Sequence, residues 1–300
     1  MIEGLKYIKS EIKRCFKIFL FDKATKNGSL FLKIDDCISR KPAVGSPWEE
    51  ELTSLIESYA LNGASDFFID VGANIGLTSC QNGKAFKKVI CFEPNTLCAN
   101  ILKTNLAITL NNGQYEVNEF GLGLEEGSFD LHIPKNNWGG AFIRSGSNEY
   151  GDDFFIKTHQ CSLSSKEKFT IVKVKLKKAL DVFEALFNNM KDQGFSKGVC
   201  KIDVEGCEKV VLLALAKKLP PSFELNIIFE NHSEALDLKE IKDAFGGRLH
   251  ASKVIMRGKR AKKYFNKKVS LLNLIRVNVY DFNIDEGIVP TGDIVLEIKS

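Results

Sequence analysis

The sequence predicts an α/β fold, a mostly parallel seven-stranded sheet with helices on both faces. Three observations point to it. Short unbroken apolar runs at residues 67–69 and 89–92, and similar, mostly apolar runs at 199–204 and 225–229, recur along the chain. Strands covered on both faces need such runs, because neither side meets water. The stretches between, at 75–86, 97–110, 207–218 and 234–245, space their apolar residues as amphipathic helices do. Last, the turn Asp70-Val71-Gly72-Ala73-Asn74-Ile75-Gly76 joins the first apolar run to the first of these helices. A doubly wound sheet keeps its ligand crevice at such a turn.

The chain has 300 residues, of which 44% are hydrophobic and 27% charged. That is enough to bury a large core in one domain with appendages. A formal net charge of +4 is too small to argue for nucleic acid. No apolar run approaches the ~20 residues of a membrane span. Residues 12–21 carry Lys13, Arg14 and Lys17 and no cleavage site, so an amphipathic helix is expected there. Attachment to a membrane surface is its alternative. The eight cysteines form no Cys-x-x-Cys pair, which argues against zinc and for a reducing cytoplasm.

Residues 1–60 read as a helical lead-in and 61–300 as the main domain. The lead-in holds a strand at 29–34 and a second helix, where Ser46 caps, Pro47 opens the first turn and Glu49 completes a capping box. Residues 124–175 interrupt the alternation with Gly127, Gly139, Gly140, Gly146 and Gly151. The aromatics Trp138, Phe142, Tyr150, Phe154 and Phe155 favour an ordered insertion there. Two late strands, 275–282 and 293–298, suit an antiparallel edge, and whether 249–256 is their partner is left open by the pattern.

The turn at 70–76 carries chemistry. Gly72 admits close backbone approach, and Gly76 lets the helix pack close on the strand. An aspartate, Asp70, stands where a pyrophosphate-binding loop would place glycine, so the loop suits a cationic or zwitterionic ligand. Glu93 follows the second apolar run, 23 residues beyond Asp70. An acid there is placed to bind the ribose hydroxyls of an adenosine; the alternative is a helix cap ahead of Pro94. At the fourth run, alternation sends Lys201, Asp203 and Glu205 toward the same crevice. They pair, brace the loop, or do chemistry. Glu230-Asn231-His232 ends the next strand.

Taken in order, residues 67–79, 91–106, 119–131, 137–142, 179–183, 200–215 and 227–232 resemble the FkbM family of S-adenosylmethionine-dependent methyltransferases, over about residues 48–233. The resemblance implies a Rossmann-like class I methyltransferase. It implies that Asp70, Gly72, Asn74, Gly76 and Glu93 hold S-adenosylmethionine, that Asp203 and Glu205 line the reaction side, and that Gly139 and Gly140 lie in a nearby loop. Asn95 and Glu205 are counted with the cofactor set. The expected reaction is O-methylation of a hydroxyl on a sugar, glycan or related small molecule.

Asp203, His232 and Lys201 are the candidate bases for the acceptor hydroxyl. A Mg2+ ion held by Asp203, Glu230 and Asn231 is the alternative. A nicotinamide oxidoreductase is disfavoured by Asp70 and by the lack of a Tyr-x-x-x-Lys dyad. A nucleic-acid methyltransferase is disfavoured by the acidic Asp203–Glu205 stretch; a protein methyltransferase and a non-catalytic binding module remain as alternatives. Between Arg257 and Lys268 lie seven lysines and arginines in twelve residues, Arg257, Lys259, Arg260, Lys262, Lys263 and Lys267 among them. A solvated face is one reading, and a patch for an anionic acceptor or membrane is the other.

Overall fold

The computed structural model describes residues 30–33, 36–144, 169–231, 236–256, 266–267, 277–286 and 290–300. The opening helix, the strand expected at 29–34, His232, and the stretch 257–265 of the basic segment therefore fall wholly or partly outside the described residues, as do Gly146, Tyr150, Gly151, Phe154 and Phe155.

In chain order the strands are β1 (Phe67–Val71), β2 (Lys88–Phe92), β3 (Tyr115–Asn118), β4 (Gly121–Gly123), β5 (Gly127–Pro134), β6 (Phe142–Ile143) and β7 (Phe169–Lys178). They continue with β8 (Lys197–Ile202), β9 (Glu224–Asn231), β10 (Leu249–Met256), β11 (Asn266–Lys267), β12 (Val277–Asp281) and β13 (Gly292–Ile298). The main helices are α1 (Glu50–Leu61), α2 (Leu77–Asn82), α3 (Thr96–Thr109), α4 (Ala179–Asp192), α5 (Glu208–Lys218) and α6 (Leu238–Ala244).

The large sheet runs β11-β12-β10-β13-β9-β8-β1-β2-β3. Its centre, from β3 through β9, is parallel, with Asp70 of β1 opposite Lys201 of β8. β13 is antiparallel to both β9 and β10, and β12 is antiparallel to β10. The α/β fold class is thus as the sequence predicts, but the sheet has nine strands rather than seven. Residues 249–256 account for the difference: as β10 they pair with β13 on one side and leave the other edge to β12, which β11 extends.

Alternation along β1 sends Phe67, Ile69 and Val71 to the face covered by α4, α5 and α6, and Phe68 to the face covered by α1, α2 and α3. Full burial of each such side chain contributes about 1.5–3 kcal/mol. β3 and α4 are among the elements without a sequence expectation. β3 is a short, half-buried edge strand without an apolar run. α4 buries Ala179, Phe183, Phe187 and Met190, a helical spacing overlooked beside the irregular insertion.

That insertion contributes most of a second sheet, ordered β4-β7-β5-β6, around Leu131, Ile133, Ile143, Val174 and Leu176. The lead-in departs from expectation as well. α1 starts at Glu50; Glu49 occupies the cap position with φ 45° and no side-chain cap bond. No capping box forms because Gln81 holds the backbone of Trp48 outside the helix, accepting from its N at 2.7 Å and donating to its O at 3.0 Å.

Candidate active site

Two adjoining cavities open where the parallel strands end. The first is mostly apolar. Phe92, Leu122, Leu131, Trp138, Ile143 and Leu176 wall it, together with Glu93, Asn95, Gly121 and Cys207. The second is polar, lined by Glu49, Lys201, Glu205 and Glu230 with Trp48, Asn137 and Gly140. Gly72, Asn74, Gly139 and Asp203 line both.

The turn after β1 is built from backbone bonds. Gly72 N and Ala73 N donate to Phe92 O, and Asp203 N donates to Val71 O at 2.9 Å. Gly72 has φ +83°, and a β-carbon there would meet Asp203 O at 1.9 Å. The glycine is therefore required by the neighbouring strand end before any ligand is considered. Gly76, at φ +86°, caps α2; a β-carbon there would meet Leu102 Cδ1 of α3 at 2.5 Å. Its close packing is against a helix, not the strand.

Asp70 does not line either cavity. It is fully buried beneath the turn, accepts from Ser79 Oγ at 2.6 Å, and leaves Oδ1 without a hydrogen-bond partner. Burial raises its pKa, with the Lys201 charge and the Ser79 bond working the other way. Asn74, left-handed at φ 51°, reaches both cavities, and its Oδ1 is buried without a hydrogen-bond partner.

Glu93 is 7% exposed at the first cavity. Its Oε2 accepts from Asn74 N and its Oε1 from Asn95 N, both at 2.8 Å. Burial pushes its pKa up to about 7 against these two bonds. Each oxygen keeps a further lone pair. Glu93 thus ties the turn to the start of α3, where Asn95 caps by accepting from Leu97 N at 3.1 Å. An acid with spare acceptor capacity, an orphaned Asn74 oxygen and apolar walls fit the adenosine and amino-acid parts of S-adenosylmethionine.

At the second cavity the Lys201 ammonium, almost fully buried, lies 2.8 Å from Asp203 Oδ2. Burial alone would lower its pKa, but Asp203, Asp70 and Glu49 outweigh it and hold the proton on. Lys201 is consequently a poor base, contrary to the expectation that it could take the acceptor proton. Glu205, at φ 44°, reaches the same cavity from beyond the strand end.

The Mg2+ trio is not assembled. Glu230 and Asn231 are consecutive on β9 and so face opposite sides of the sheet. Glu230 lines the second cavity, while Asn231 is buried and donates from Nδ2 to Pro290 O at 3.0 Å. Among the described residues no group of three His, Cys, Asp or Glu side chains is arranged to hold a metal.

Two site residues, Glu49 and Asp36, stand outside the sequence expectation. In sequence Glu49 has the spacing of a capping box. Asp36, buried in the lead-in, accepts from Trp138 N at 3.0 Å and Ile38 N at 3.3 Å, fixing the 137–140 loop between the cavities. Neither role has a local sequence signal, since each depends on a partner far along the chain.

The family model for the methyltransferase FkbM domain matches residues 70–249. The chain is 28% identical over 155 residues to "Methyltransferase sdnD" of Sordaria araneosa, a match covering 50% of this chain and 60% of that protein. Among solved structures, the O-methyltransferase TomG of Streptomyces achromogenes, solved with S-adenosylmethionine, aligns with 94% of this chain and 97% of its own at 11% identity and a TM-score of 0.41. An O-methyltransferase of Bacillus cereus with S-adenosylhomocysteine aligns with 83% of this chain and 80% of its own, at 12% identity and a TM-score of 0.39. No described helix is long and apolar enough to cross a membrane. The family match spans more than half of the sequence, and the chain belongs to the methyltransferase FkbM domain family.

Proposed function

We propose that this protein transfers a methyl group from S-adenosylmethionine to a hydroxyl of a sugar, glycan or other small polyhydroxylated acceptor. The observation that carries the reading is the junction of an apolar and a polar cavity at Gly72, Asn74, Gly139 and Asp203. S-adenosylmethionine supplies a methyl already activated as a sulfonium. The chain's part is placement, and alignment alone can lower such a barrier by roughly 7–11 kcal/mol.

Glu93 accepts the ribose hydroxyls with its remaining lone pairs, and Phe92, Leu122 and Ile143 enclose the adenine. Residues 61–300 act as the methyltransferase domain, while the lead-in supplies Trp48 and Glu49 to the acceptor side. Glu49, Asp203, Glu205 and Glu230 set four carboxyl groups against the single Lys201 ammonium in the second cavity. Carboxylates accept hydrogen bonds from hydroxyls and repel phosphates, so a neutral polyol fits this side and a nucleic-acid backbone does not.

Calorimetric titration with S-adenosylhomocysteine and with NADH tests the cofactor. Labelled methyl transfer to methyl glycosides, with peptide and RNA as competitors, tests the acceptor. Preference for NADH, or transfer to peptide or RNA alone, overturns the reading.

A further inference from the structure

Glu49 lies outside the residues matched by the family. Its backbone is left-handed, φ 45° and ψ 61°, a region that side chains with a β-carbon enter only where the surroundings enforce it. The enforcement is visible. Gln81 of α2 grips Trp48 from both sides and also donates to Thr53 Oγ1 at 3.1 Å. Thr53 Oγ1 donates to Trp48 O at 3.2 Å, and Thr53 N donates to Glu49 O at 2.9 Å. This clamp fixes the chain before and after Glu49 and leaves its carboxyl to the second cavity, not the helix end. There Oε2 is buried with no hydrogen-bond partner among the described residues. A buried acceptor left open is costly unless a ligand completes it.

Asp203 differs, since its Oδ2 is taken by the Lys201 ammonium. We propose that Glu49 is the base that accepts the proton of the acceptor hydroxyl, an assignment that rests on reading the second cavity as the acceptor side. Glu49 Oε2 takes that proton as the acceptor oxygen bonds to the methyl carbon. The carbon–sulfur bond breaks with its electron pair left on sulfur, giving neutral S-adenosylhomocysteine, and the proton then leaves to water.

The groups facing Glu49 are Lys201 and Asp203 at the end of β8, Glu230 on β9 and Asp293 on β13. Burial raises the carboxyl first; Lys201 opposes this, the three acids add to it, and the result is about 7. A base is most effective with a pKa close to the working pH.

The test compares wild type, Glu49→Gln and Glu49→Asp. Each is titrated with S-adenosylhomocysteine by calorimetry. Labelled methyl transfer to glycerol and to methyl α-glucopyranoside is then followed across pH. Wild-type kcat/KM for the alcohol, measured at saturating S-adenosylmethionine so that the titration of Glu93 does not enter, is expected to rise with pH through about 7, as Glu49 loses its proton. Glu49→Gln is expected to bind S-adenosylhomocysteine within about twofold of wild type, to turn over at least ~10²-fold more slowly, and to lose that inflection. Glu49→Asp, with the carboxyl on a shorter arm, should recover part of the rate and keep a shifted inflection, which serves if Glu49→Gln does not fold. A Glu49→Gln enzyme with wild-type rate and inflection overturns the assignment, as does loss of cofactor affinity in step with rate. A wild type that binds S-adenosylhomocysteine yet methylates neither alcohol overturns the acceptor-side reading on which it rests.

Discussion

A β-carbon on Gly72 would lie 1.9 Å from the carbonyl oxygen of Asp203, and 2.9 Å from its carbonyl carbon. The two turns that hold the site are in backbone contact, so neither can move without the other.

Gly72→Ala should therefore be a stability variant before it is a binding variant. Left-handed backbone costs an alanine about 1–2 kcal/mol, and overpacking adds about 1–3 kcal/mol. Urea denaturation should show a loss of several kcal/mol. A Gly72→Ala protein of wild-type stability would mean that the ends of β1 and β8 are farther apart than described.

Replacing Glu93 by glutamine should weaken S-adenosylhomocysteine binding by about 1.5–3 kcal/mol, the worth of a charge-assisted hydrogen bond. The amide also sets an N–H against Asn74 N or Asn95 N, both of which donate to the native carboxylate. Affinity should be pH-dependent in wild type. Glu93 sits at about 7 in the free protein, and hydroxyl donors favour its charged form, so binding weakens as pH falls through 7. A flat calorimetric profile from about pH 5 to 8 would remove Glu93 from the ribose.

Stability without ligand should fall as pH rises. Glu49, Glu93 and Glu208 each stand at about 7 when folded, with burial the leading cause, above the ~4.3 of an unfolded glutamate. Between those limits the native state binds more protons than the unfolded state, and ΔG of unfolding declines with pH. The declining window runs from about 4.3 to 7. Urea midpoints that rise steadily across it would contradict the burial of these groups.

Lys201→Met should cost about 3–5 kcal/mol near pH 8, because Asp70, Asp203 and Glu49 then face one another without a cation. The loss should shrink near pH 5, where Glu49, pushed up to about 7 by burial, takes up its proton; burial raises Asp70 in the same direction. Denaturation of both proteins at the two pH values measures this; an equal loss at each would show that the ammonium does not hold the cluster together.

The parallel half of the sheet was legible because β1, β2, β8 and β9 are mostly apolar through their buried middles, and that follows from burial on both faces. Gly72, Asn74, Glu93 and Asp203 were legible as neighbours because strand ends place them at one crevice. Asp70 was misread in position: its neighbours in sequence reach the cavities, whereas its own side chain turns inward to Ser79. Glu49 was illegible for a different reason. A serine three residues before a glutamate suggests a cap, and only the distant Gln81 shows otherwise. β3 lacked an apolar run because an edge strand need not have one.

The opposition of Asp70 and Lys201 bears on how the chain finds its fold. β1 and β8 are separated by more than a hundred residues and, apart from these two positions and the Lys197-Gly198 start of β8, carry apolar side chains that would tolerate sliding past one another. Among the described residues Lys201 is the only buried cation, and in the native alignment it stands opposite Asp70. Slipping one strand by a single position would set the ammonium against Ile69 or Val71 and strand the carboxylate among hydrocarbon. The charge pair thus works as a key that fits one lock, rejecting misaligned pairings that the apolar runs alone could not tell apart.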